Sequence, residues 1–189
     1  MRAPTTRGFA LVEVLFVAGL AVIVLGMALP GLAAGAARTE VLGAARYVAA
    51  RGEALRLQAV VSGRTVGIHF ESVDGDAEMT SLVDGNGNGL RTTEVAAGVD
   101  AVVEGPLSLR ALFPGVEAAA LDSDGARTDG VRFGQSGILA FTPRGTSSTG
   151  TLYLMGRGDW EFAVRVFGAT GRVRVLERSR TSGDWREVW

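Results

Sequence analysis

The sequence predicts an α+β protein: one long N-terminal helix, apolar in its first half and amphipathic in its second, packed on an antiparallel β-rich head. Three observations predict it. Residues 9–30, FALVEVLFVAGLAVIVLGMALP, form an apolar run that carries one charge, Glu13. Farther on, Val41, Ala45, Val48, Gly52, Leu55 and Ala59 recur at alternating steps of four and three, which is one stripe on a helix. From Arg64 the period changes to two, in short runs broken by Gly, Asp and Ser clusters, as in strands joined by turns.

The apolar run comes first in the chain and reaches the ~20 residues that a bilayer-crossing helix needs. A carboxylate near the membrane interior costs on the order of 2.5–3.5 kcal/mol, so Glu13 requires a partner that makes its retention worthwhile. Arg2 and Arg7 precede the run and no charge follows Glu13 until Arg38, which puts the N-terminus in the cytoplasm and the remainder outside. A plain anchor with an incidental glutamate is disfavoured by that same cost. A cleaved secretory signal has small-residue sites at Ala33 to Ala37, but the run exceeds the ~7–15 residues of such a signal's apolar region and contains a charge.

The second half of the helix carries the stripe, with Arg38, Arg46, Arg51 and Arg56 mostly off it. One helix is therefore expected from about Phe9 to Val61, stopped by Ser62-Gly63. Gly31 to Ala37 are small and allow close approach between helices. The expected strands are 64–71, 78–83, 99–103, 107–112, 130–133, 138–141, 151–155, 162–167 and 172–177, with loops at 118–129 and 146–149 and no useful length of helix after residue 62. No repeat or low-complexity linker marks a second head domain.

Composition excludes several classes. The chain has no cysteine, so it has no disulfide, no zinc–thiolate cage and no thiol nucleophile. A net charge of −1 gives no bulk attraction to nucleic acid or anionic lipid, and every basic side chain is arginine. The one histidine, His69, has no second histidine or cysteine with which to share a metal, and it makes a Ser-His-acid triad untenable. No phosphate loop or dinucleotide fingerprint occurs. The expectation is a non-enzyme.

The N-terminal pattern resembles the type III signal of type IV pilins and type II secretion pseudopilins: a short basic leader ending in Gly8, then Phe9, three apolar residues and Glu13 ahead of a long apolar helix. Ala10 and Val12 depart mildly from the commoner Thr and Ile. Within that group, ARYVAARGEALR, SLVDGNGNGLRTTE, ILAFTPRG, GTLYLMG and ATGRVRVLE look like the GspH/FimT minor pilins and pseudopilins. The resemblance implies a pilin-like fold divided into a leader at 1–8, a membrane and assembly half-helix at 9–31, an amphipathic half-helix at 32–62 and a β-rich head at 63–189. It implies cleavage by a prepilin peptidase between Gly8 and Phe9, methylation of the Phe9 amine, and pairing of Glu13 with that amine on a neighbouring subunit. It also implies a proline, here Pro30, where such helices kink or melt, and other pilins or pseudopilins and the inner membrane as partners. Whether the machine is a type II secretion pseudopilus or a type IV pilus stays open.

Two stretches of the head carry candidate chemistry. Asp84, Asn86 and Asn88 stand at the first, third and fifth places of a calcium-loop start with Gly89 at the sixth, but the twelfth place is Val95 and Glu94 falls one short. Alternating Gly and Asn also suits a plain turn, which is the expected reading, with a calcium-dependent module as the alternative. In Gly171-Arg172-Val173-Arg174, a strand would put both arginines on one face. Paired with 162–167, it would set Arg165 opposite Arg174 and Phe167 opposite Arg172, a crowding of like charge that an outside anion would relieve. A Gly-Arg-x-Arg motif in some FimT-type pilins is associated with DNA uptake, so Arg165, Arg172 and Arg174 are the candidate DNA contacts. Solvated strand charges, with Glu161 opposite Arg178, are the plainer account.

Overall fold

The computed structural model describes residues 11–181 and 183–189, with side chains throughout except at 28–30 and 32–34. The chain divides into two compact units, residues 1–36 and 37–189. A single helix, α1 (Leu11–Ser62), runs through the expected region. It ends where the sequence signals a stop: Gly63 takes a φ of +66° and returns its N–H to the Ala59 carbonyl at 3.0 Å.

Every residue of the helical stripe from Val41 to Ala59 is buried, together with Ala44 and Ala49 on its flanks. That face packs against β1 (Val66–Val73), β2 (Asp76–Val83), β7 (Ile138–Phe141), β8 (Gly150–Met155), β9 (Trp160–Phe167) and β10 (Arg172–Ser179) through Ile68, Phe70, Met79, Phe141, Leu152, Phe162, Val164 and Val175. Gly52 marks a close approach. A Cβ there would lie 3.4 Å from Val173 and 3.7 Å from Phe141, so the helix backbone meets both sheets at this residue.

One sheet is ordered β3-β2-β1-β7, with β3 spanning Ala101–Ser108. The other is ordered β11-β10-β9-β8-β6, with β6 at Val131–Arg132 and β11 at Arg186–Glu187. All pairings are antiparallel. The architecture is thus a long N-terminal helix with an antiparallel β-rich C-terminal head.

The structure departs from the sequence reading in places. The expected strands at 99–103 and 107–112 are one strand, β3, followed by a single helical turn, α3 (Leu109–Leu112). Ser108 caps that turn by accepting the Ala111 N–H at 2.9 Å, and Asp76 accepts the Arg110 N–H at 2.9 Å. Four apolar-rich residues fit a strand and a helical turn equally well, and the cap decides. The expected loop at 118–129 contains a small hairpin, β4 (Ala119–Leu121) and β5 (Arg127–Asp129), and a five-residue helix, α2 (Thr92–Ala96), follows the Asn-Gly stretch. Asp122 closes the hairpin tip by accepting the N–H groups of Asp124 and Ala126.

Candidate functional site

Glu13 lies on the first turns of α1, exposed, among apolar side chains that are exposed on every face of the helix: Leu11 is 78% accessible, Val12 73%, Phe16 72% and Met27 79%. Those values leave every face of this stretch open among the described residues. Among the described residues no helix is long and apolar enough to cross a membrane. The described side chains of the run end at Met27, and the span expected from sequence extends past them on both sides. Gly8 and Phe9 lie outside the described residues. Pro30 falls within α1, and its side chain also lies outside them.

The arginine strand forms in the register the sequence implies. Arg174 faces Arg165, Arg172 faces Phe167 and Arg178 faces Glu161. Val173 and Val175 turn into the core while Arg172 is exposed. The two-residue β11 brings an anion that the sequence reading missed. Glu187 receives the Arg174 guanidinium at 2.8 Å and approaches Arg172 at 3.9 Å, and Arg174 also lies over the Phe167 ring at 5.3 Å from its centroid. The charge crowding between Arg165 and Arg174 is therefore relieved from within the chain. Gly171 has a structural duty of its own, since a Cβ there would run into the Gly145 carbonyl and the Arg56 side chain.

A second ion cluster borders this one. Glu177, 1% accessible, is held between Arg38 of α1 and Arg186 of β11. Burial pushes its carboxyl up, but the hydrogen bonds from Arg186 and Arg38 outweigh that and hold it below the usual glutamate range. On the other face of the same strands Glu161, also buried, pairs with Arg178 and lies 3.8 Å from Arg180. Trp185 then packs over Arg178 at 4.7 Å and against Tyr153 at 5.9 Å. The last residues, Trp185-Arg186-Glu187-Val188-Trp189, do not alternate and are too few to read as a strand without the partner.

The Asn-Gly stretch folds as a backbone-closed turn. Asp84 is buried and accepts N–H groups from Asn86 at 3.1 Å, Gly87 at 2.7 Å and Gly89 at 2.8 Å. Its burial opposes ionisation, yet these N–H groups and the Arg64 charge keep it below the ordinary aspartate range. Asp100, equally buried, takes the N–H groups of Gly85 and Arg91. The amide groups of Asn86 and Asn88 donate to Glu94 at 3.1 and 2.8 Å. The carboxylate oxygens of Asp84 and Glu94 thus face donors, and among the described residues no group of three or more His, Asp or Glu is placed to hold a metal ion. His69, half-buried on β1, pairs across to Thr80 and Ile138.

No family model and no curated protein matches the chain. Among solved structures, it is similar to the minor pseudopilin EpsH from the type II secretion system of Vibrio cholerae. One such structure is 16% identical over 79% of this chain and 94% of that one, with a TM-score of 0.42. A second structure of EpsH is 16% identical over 72% of this chain and 94% of its own, with a TM-score of 0.44.

Proposed function

We propose that the protein is a minor pilin-like structural subunit of the GspH/FimT type. On this reading a prepilin peptidase removes residues 1–8, Phe9 becomes the methylated N-terminus, and the chain crosses the inner membrane once with its N-terminus cytoplasmic and its head periplasmic. It then joins other pilins or pseudopilins near the tip of a type II secretion pseudopilus or a type IV pilus. Its work is assembly and no bond is made or broken. Glu13 meets the Phe9 amine of a neighbour, the apolar half-helix enters the filament core, and the head presents a surface to partners.

The observation that carries the reading is the start of α1. A helix apolar on every face must be covered, by lipid or by other helices, because its side chains find no cover among the described residues. The single carboxylate in that apolar wall then marks where a positive partner has to come. Mass spectrometry of the terminal peptide tests the processing step: the mature protein from cells with a prepilin peptidase is expected to begin at methylated Phe9. A start near Ala34 or Arg38 would instead assign ordinary signal peptidase and end the pilin reading. DNA uptake through Arg165, Arg172 and Arg174 stands second, because Glu187 already engages two of the three.

A further inference from the structure

We propose that the head carries an acceptor pocket for an acidic segment of a partner protein, on a part of the surface distinct from the arginine strand. The pocket encloses about 370 Å³ and draws one guanidinium from each of three places: Arg110 on α3, Arg127 on β5 and Arg157 in the turn between β8 and β9. Their charges are unequally compensated. Arg127 is paired with Glu117 at 2.6 Å. Arg110 donates its side chain only to a neutral acceptor, the Asp74 carbonyl, at 2.9 Å. Arg157 has no hydrogen-bond or ion-pair partner among the described residues and is exposed.

The nearby carboxylates leave that imbalance in place. Asp76 is engaged by the Ser108 hydroxyl and the Arg110 backbone N–H. Glu40 reaches the wall at Gly115, where a Cβ would lie 3.7 Å from one of its oxygens and 3.7 Å from Arg157 Nε, and it forms no ion pair with Arg157. Arg110 and Arg157 therefore line one concavity with no ion pair of their own, beside a Glu117 that Arg127 already engages. Each presents N–H groups in the planar geometry that binds a carboxylate through two oxygens, and in a pocket partly screened from water such bonds are about twice as strong as neutral ones. A flat basic patch would hold any anion loosely. A concavity with one open fork and a second guanidinium held only by a carbonyl selects a projecting carboxylate, as on a Glu- or Asp-rich stretch of another protein.

The test uses the full-length protein in detergent micelles and a fluorescent hexaglutamate peptide as probe, followed by anisotropy at low and moderate salt. Arg110→Gln/Arg157→Gln is expected to weaken peptide binding about tenfold or more, the loss of charged hydrogen bonds. Arg46→Gln/Arg144→Gln removes the same charge from two exposed arginines that have no partner among the described residues, and is expected to stay within about twofold of wild type. Equal losses in the two double variants would reduce the effect to diffuse attraction and overturn the proposal, as would no binding by the wild type at low salt. Inorganic phosphate that binds this pocket as tightly as the peptide would assign it to a free anion and overturn the peptide assignment. The outcome is independent of the filament reading, because the assay involves neither processing nor assembly.

Discussion

At the scale of single residues, both faces of the second sheet carry carboxylates that the chain itself pairs, Glu161 and Glu187 on the outer face and Glu177 on the helix-facing side with Val173 and Val175. Glu177 is the most enclosed of them. Its folded-state pKa is depressed, so its contribution is fully present above the unfolded value of ~4.3 and is lost as pH falls through the folded value. Glu177→Gln is therefore expected to lower the melting temperature at pH 7, with the gap from wild type closing as the pH is taken below about 4. Thermal unfolding at a series of pH values measures it, and a gap independent of pH would remove the charge from the account. Glu187 makes a separate prediction. If it shields Arg172 and Arg174, wild type and Arg172→Ala/Arg174→Ala should show the same salt dependence of DNA binding. Glu187→Gln should steepen the log–log slope by roughly 1.8, that is −0.9 for each of two phosphates. A wild-type slope already near about −2.7, three contacts' worth, would show that all three arginines reach phosphate with Glu187 in place.

At the scale of elements, α1 carries two unlike sequences in one helix. Its later half works by a narrow stripe half of whose members are small, and Ala45 with Ala49 on its flank, both at 0% accessibility, let both sheets come close. A larger side chain on that face has nowhere to go. Ala45→Leu is expected to destabilise the head by about 1–3 kcal/mol through overpacking, while Ala50→Leu, on the exposed side, should change stability by less than about 0.5 kcal/mol. Denaturant unfolding separates the two. Similar effects at both positions would mean that the stripe does not set the fit of helix to sheets. The hairpin β9–β10 shows the same division of labour across its two faces: Val164, Val166, Val173 and Val175 go inward, and the arginines go outward to meet β11.

At the scale of the whole molecule, assembly turns on Glu13. Replacing it with alanine removes a costly charge from the apolar stretch, so membrane insertion should persist or improve, while incorporation into filaments should fail. Crosslinking of Glu13→Ala to other pilins or pseudopilins in cells reports this. Unchanged incorporation would show that the carboxylate does not recruit the subunit, and loss of the protein from the membrane would show that it serves insertion instead.

The sequence by itself determined what depends on periodicity and on neighbours close along the chain. The stripe of α1 is buried as its spacing implies, Gly63 stops the helix, and the register of β9 on β10 follows from a short turn between two alternating strands. Period and turn length are local properties, so a single chain carries them in plain view. The opposition of Arg178 and Glu161 across that turn was in the sequence too, but the tertiary structure alone decided the charges that meet between more distant elements. Arg38 finds Glu177 across 139 positions, Arg174 finds Glu187 only because the chain returns as β11, and Asp100 reaches back to close the loop at Gly85. Arg110, Arg127 and Arg157 share a pocket only once α3, β5 and the turn after β8 have been packed side by side. An ion pair leaves no repeating pattern in the sequence. Outside a hairpin, its partners are chosen by how the apolar faces pack, which is why the core was legible from sequence and the longer-range ion pairs were not.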